Sequence, residues 1–132
     1  MKSVIAITDG PIDFERFASL CRERGPAGLQ VSLPDEVCGL RGHLGDAWFG
    51  IEPSDDMQNE FEHAELAEIA KAIADPCFAE VLYSDLATLN VAMNGFPDAV
   101  ATLIDNDNGL ILPLGEVKAR GLRGEAWDFH TV

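Results

Sequence analysis

Asp105-Asn106-Asp107-Asn108-Gly109 is the stretch whose side chains most invite chemistry, because closely spaced acids and amides can offer oxygen ligands to a hard cation. A calcium loop of that kind needs glycine at its sixth position and a bidentate acid at its twelfth. Counted from Asp105, the sixth residue is Leu110 and the twelfth is Glu116, so the acid falls in place and the glycine fails. The apolar run from Leu110 to Leu114 would also carry the chain away from an ion instead of around it. A polar hairpin turn accounts for the stretch better, and no metal is expected.

Other reactive side chains are scattered. His43, His63 and His130 are far apart in sequence, and only His63 has an acid, Glu60, within one helical turn. On an exposed helix face that spacing is ordinary charge pairing. Cys21, Cys38 and Cys77 form no close pair, which fits a reducing compartment and a cytoplasmic location; Cys21 reads as a small buried hydrophobe. Residues 39 to 45 are glycine-rich but lack the Lys-Ser/Thr ending of a phosphate loop, and no Gly-x-Ser-x-Gly elbow occurs. No pattern names a reaction, and neither a catalytic residue nor a cofactor is expected.

Carboxylates are plentiful, and their distribution is uneven. Residues 42 to 117 hold fifteen Asp and Glu against one base, Lys71, while the flanks carry eight acids and eight bases, so the middle accounts for the whole net charge of −14. Within it, Trp48 and Glu52 share one side of an alternating segment, Asp55 and Asp56 follow, and Glu60 and Glu68 lie on the outer face of the next helix. Together they can form an acidic surface with an aromatic anchor, with Asp105 and Asp107 as a second candidate. Such a surface repels nucleic acid phosphates and anionic lipid headgroups and speeds encounter with a basic protein. It implies binding before catalysis.

The elements that must carry these residues follow from the periodicity. Val4 to Ile7 reads as a strand, and Phe14, Phe17, Ala18 and Cys21 recur at the spacing of one helix face, which Gly25-Pro26 ends. Gly28 to Leu33 alternates as a strand, whereas residues 35 to 45 show no sustained period. Ala47, Phe49 and Ile51 alternate with Trp48, Gly50 and Glu52, giving a strand with one aliphatic side and one bearing an indole beside a carboxylate.

Asn59 with Glu62 predicts a helix start, and the helix to about Ala74 turns Leu66, Ile69, Ala70 and Ile73 inward and Glu60, His63 and Glu68 outward. Glu80 to Tyr83 reads as a strand, and Ser84-Asp85 caps a helix over Leu86 to Met93, stopped by Gly95 and Pro97. Ala99 to Ile104 and Leu110 to Leu114 predict a hairpin turning at Asn108-Gly109. Beyond Val117 the pattern is less regular, with Ala126 to Phe129 as a candidate edge strand.

These elements predict an α+β fold in which residues 1–132 form a single domain, a mainly antiparallel or mixed sheet with about three helices packed on one face. A chain of 132 residues with 47% hydrophobic content can enclose a core without metal or disulfide staples. The N-terminal apolar run is too short for a signal peptide, and no span approaches bilayer length.

A small, acidic single domain with an aromatic-plus-acid strand and an isoleucine- and leucine-rich stretch ending in Asp105-Asn106-Asp107 resembles the immunity proteins of bacterial polymorphic toxin and contact-dependent inhibition systems. That resemblance implies a non-enzymatic inhibitor which occludes the active site of a cognate, basic toxin domain. The alternatives are an acidic structural or adaptor protein and a small enzyme with an Asp/His site.

Overall fold

Val4-Ile5-Ala6-Ile7 is apolar at every position, the signature of a strand buried on both faces. It belongs to β1 (Lys2–Asp9), and all four side chains are at most 6% exposed. In the computed structural model, residues 2–33, 39–106 and 110–128 are described, Asp55 by its backbone alone. After β1 come α1 (Phe14–Arg24), β2 (Gln30–Ser32), β3 (Leu40–Leu44) and β4 (Ala47–Pro53). A 3₁₀ helix (Asp55–Glu60), α2 (His63–Ala72), β5 (Pro76–Tyr83), α3 (Leu86–Met93), β6 (Thr102–Asp105), β7 (Ile111–Pro113) and α4 (Leu114–Leu122) complete the order.

The strands form one seven-stranded sheet ordered β2-β3-β4-β5-β1-β6-β7, and every pairing is antiparallel. This is the expected α+β single domain. Because side chains alternate along each strand, the sheet has two distinct cores. Val4 and Ala6, with Phe49, Ile51, Ala79, Val81 and Tyr83, face α1, α3 and α4. Ile5, Ile7 and Phe78 face the opposite way and are covered by Phe61, by Ile69 of α2 and by Ile73, which follows that helix.

The expectation of about three helices on one face is met by α1, α3 and α4, and a fourth helix, α2, lies on the other face. The reason is β1 itself, since Ile5 and Ile7 would otherwise stand in water.

Other differences are local. β3 forms inside the stretch that showed no period, because Gly42 leaves room for the Phe49 ring that a Cβ there would strike. A tight turn at Gly45-Asp46 then joins β3 to β4, with Gly45 at φ +63°. α2 starts at His63, after Glu62, whose backbone N–H donates to the Glu65 carboxylate at 3.0 Å, so the reciprocal pair is Glu62 and Glu65 and not Asn59 and Glu62. Ala70 is exposed. β5 is twice the expected length because Pro76 to Ala79 extend its pairing with β1.

The hairpin is present, with Ile104 opposite Leu112 and Asp105 opposite Ile111. Its turn residues 107–109, Asn108-Gly109 included, lie outside the described residues. Leu114 starts α4 instead of ending β7, and Leu114 and Val117, one turn apart, face the core. Gly115 and Gly121 hide this helix from a propensity reading. Gly121 is needed for packing, since a Cβ there would come 2.8 Å from the Asn90 Oδ1 of α3.

The C-terminal segment is pinned by buried polar contacts. Trp127, 1% exposed, donates from Nε1 to Asn90 Oδ1 at 2.9 Å, and Asn106 Nδ2 donates to the Trp127 carbonyl at 2.8 Å. Trp127 and Asp128 lie in a turn, not in the expected edge strand, and Phe129 lies outside the described residues.

Candidate functional site

β4 positions the aromatic anchor as its alternation requires. Phe49 and Ile51 are fully buried against the helices, so Trp48, Gly50 and Glu52 point to the opposite face. Over β2, β3 and β4 that face is not covered by α2, whose partners are on β5, β1, β6 and β7. Trp48 is half-buried and stands opposite the exposed His43 of β3. Its backbone is fixed on both sides by Ser84: the Trp48 N–H donates to Ser84 Oγ at 2.9 Å, and its carbonyl accepts from the Ser84 N–H at 3.0 Å.

Glu52 is not a free acid. Arg41 Nη2 donates to its Oε1 at 2.7 Å, and the guanidinium reaches it by lying across Gly50, where a Cβ would come 2.6 Å from Nη1. Glu52 also sits opposite Glu80, so Arg41 offsets a like-charge cross-strand pair. Both side chains of the ion pair are more than a third exposed, which limits its worth to about 0.2–1 kcal/mol.

Beyond Pro53 the chain turns into the acidic layer. Asp56 and Glu60 are exposed on the 3₁₀ helix; Asp55 opens that helix, and its side chain lies outside the described residues. Phe61 and Met57 anchor the layer to the sheet. On α2, Glu62, His63 and Glu68 face water, and Lys71 donates to Glu68 at 2.8 Å, one turn on. Residues 56 to 72 thus bring five acids, Asp56, Glu60, Glu62, Glu65 and Glu68, and the base Lys71 to one side of the sheet.

Asp105 does not join them. It is 8% exposed, between Ile5 of β1 and Ile111 of β7, while Asp107 lies outside the described residues. Six of the eight candidate positions therefore fall on the segment from β4 to α2, and Asp105 is removed from the surface by burial.

Two ionisable groups that sequence reasoning missed meet under the helices. The Tyr83 hydroxyl donates to Asp128 Oδ2 at 2.8 Å, with both residues at most 3% exposed. Burial, then the bond to the Asp128 carboxylate, pushes the phenol well above its ordinary range. The pair is sealed from any solute and serves the core. Cys21 is fully buried, as expected, and burial pushes its thiol up to about 12 against the pull of Arg22. Among the described residues no group of three or more His, Cys, Asp or Glu could hold a metal ion, and no helix is long and apolar enough to cross a membrane.

No family model matches the chain, and neither curated proteins nor solved structures give a significant match. Function has to be argued from the chain's own geometry.

Proposed function

We propose that this protein is a non-enzymatic inhibitor of immunity type, which acts in the cytoplasm by covering the active site of a basic toxin domain. The observation that carries the reading is the excess of acids over bases in the layer on one face of the sheet. The layer from Asp56 to Ala72 presents Asp56, Glu60, Glu62, Glu65 and Glu68, with Lys71 as its base, beside the strand face bearing Trp48, which α2 does not cover. Across the sheet the six bases on or just after α1 and α4, Arg16, Arg22, Arg24, Lys118, Arg120 and Arg123, stand among Glu15, Glu23, Asp98, Glu116 and Glu125, and four of them pair with those acids. A partner that approaches the acidic layer meets carboxylates with a flanking indole, the combination by which charge steers encounter and an aromatic anchors it. A toxin that acts on nucleic acid would use its lysines and arginines on phosphate, and the same residues would pair with Asp56 and Glu60.

An interface of standard size takes about 800 Å² per partner. That is roughly a ninth of this chain's 7181 Å². The test is capture of a basic protein on the immobilised chain from the native cell, followed by surface plasmon resonance at two salt concentrations. Replacing Asp55, Asp56 and Glu60 together with Asn, Asn and Gln should slow association about tenfold or more and flatten its salt dependence, with circular dichroism unchanged. An unchanged association rate would remove this surface from the interface.

A further inference from the structure

At the end of the sheet where β1 and β4 finish and β5 begins, an apolar cleft of about 270 Å³ opens between the strands and the entry to α1. Pro11, Ile12, Phe14, Pro53, Cys77 and Ala79 line it, and the buried Thr8 closes its floor. It opens on the three-helix side of the sheet, because Thr8, Cys77 and Ala79 alternate with Ile7 and Phe78; at its β4 end the Ser54 N–H, next to Pro53, donates to the Phe78 carbonyl at 2.9 Å, and the acidic 3₁₀ helix starts at the following residue.

Acids stand among the lining residues from Thr8 to Phe14. Asp13 lies between the lining residues Ile12 and Phe14, and Asp9 follows Thr8. Both also line a smaller depression of about 90 Å³ that shares Thr8, Pro11 and Ile12 with the cleft. Asp75 is tied to the same corner, because its N–H donates to Asp9 Oδ1 at 2.9 Å and its carbonyl accepts from the Gly10 N–H at 2.8 Å. Arg16, on the wall of the smaller depression, is the base on this rim.

We propose that the cleft seats one long cationic side chain, lysine or arginine, of the protein partner. The proposal rests on the reading of a basic partner. At about 270 Å³ the cleft lies at the low end of small-molecule sites, which run from about 300 to 1,000 Å³, and has room for one long side chain. Apolar walls under a carboxylate rim match the two ends of such a side chain, whose methylenes pack while the charged head stays at the surface. An uncharged side chain would leave the rim unused, and an acid would meet the carboxylates of Asp9 and Asp13.

The test needs no partner. Titrating n-butylguanidinium into the isotopically labelled chain should shift the amides of Ile12, Phe14, Cys77 and Ala79 in two-dimensional NMR. Its midpoint should be about tenfold below that of 1-pentanol, with pentanoate weakest, as two or three exposed charge pairs would give. The advantage of the cation should vanish between about 0.01 M and 1 M salt, over which the Debye length falls from about 30 Å to about 3 Å. The Asp9→Asn, Asp13→Asn variant should lose most of that advantage and stay folded, because asparagine caps a helix about as well as the Asp13 that now caps α1.

Shifts of equal midpoint for cation, alcohol and carboxylate would overturn the proposal, as would no shift at the cleft or shifts confined to α2. Failure to capture any basic protein from the cell would count against the inhibitor reading and would leave this titration unmoved, so the two failures are distinguishable.

Discussion

On one face of the sheet, α1, α3 and α4 close over a core that includes Phe17, Phe49, Leu89, Met93 and Trp127, and α3 carries no charged residue at all. On the other, a smaller cluster of Ile5, Ile7 and Phe78 with Phe61, Ile69 and Ile73, flanked by Leu103 and Ile111, lies under α2, which does not reach the half-buried Trp48. The smaller cluster needs one helix to cover it, which leaves that helix's outer surface free to carry acids. The larger cluster holds the fold, and the layer that displays charge is the one whose packing matters less.

If that division is right, the largest effect should come from truncating the three-helix side. Phe17 is fully buried and meets the Phe96 ring edge-on at 4.9 Å, and Gly95 is a glycine because a Cβ would strike the Phe17 ring. Phe17→Ala should cost about 3–5 kcal/mol, and Ile69→Ala under α2 about 2–3 kcal/mol, because a smaller, more peripheral cluster closes over a void more easily. Urea denaturation of both variants checks the order, and a larger loss at Ile69 would reverse the comparison.

The buried Tyr83–Asp128 bond gives the next effect and is confined to the three-helix side. Because burial and Asp128 raise the phenol, the unfolded chain releases its proton first, near pH 10. The contribution of Tyr83 is therefore full below that pH and is lost as pH rises through the higher value of the folded state. Tyr83 is the chain's sole tyrosine, so tyrosinate absorbance reports this group alone. Alkaline unfolding should coincide with its ionisation. Tyr83→Phe should cost about 1–3 kcal/mol at neutral pH and remove that part of the alkaline slope.

Asp85 offers a third measure, at the start of α3. Its carboxylate accepts from the Thr88 N–H at 2.9 Å and from the Thr88 hydroxyl at 2.8 Å, and these bonds hold its pKa below the usual carboxylate value. Asp85→Ala should cost about 1 kcal/mol. With a depressed folded pKa, the contribution is present at neutral pH and is lost as pH falls through that value, so wild type and variant should converge in acid. Thermal melts at pH 7 and in strong acid would show it, and a difference that persists in acid would assign the loss to something other than the cap.

Much of this organisation was legible in residue spacing. The alternation of β4 placed Trp48 and Glu52 together, Asp85 was readable as a cap, and the β6–β7 hairpin followed from two apolar runs around Asn108-Gly109. What escaped depended on distant partners. Arg41 cancels Glu52 only because β3 exists, and β3 was hidden by Gly42, whose purpose is visible only beside Phe49. Trp127 is core because Asn90 and Asn106, far away in sequence, take its N–H and hold its carbonyl. The side on which α2 packs was written in β1, whose unbroken apolar run demands cover on both faces.

The smallest effect isolates charge from packing. Glu65 and Glu68 are one turn apart on α2, and Asp56, Glu60 and Glu62 stand nearby, with Lys71 as the base of this layer. Like charges at helix spacing cost about 0.2–0.5 kcal/mol per pair. Raising sodium chloride from about 0.01 M to about 1 M should relieve that repulsion, because the Debye length drops below the spacing of neighbouring side chains. Backbone amides of Ile69 and Ala70 should then exchange about two- to threefold more slowly, the kinetic equivalent of about 0.5 kcal/mol of local stability. Those of Leu89 and Val91, on the uncharged α3, should not change. Equal slowing in both helices would mean that salt acts on the whole fold and not on the acidic layer. A response confined to α2 would show that this layer bears a self-repulsion of its own, the strain that a basic partner would relieve on binding.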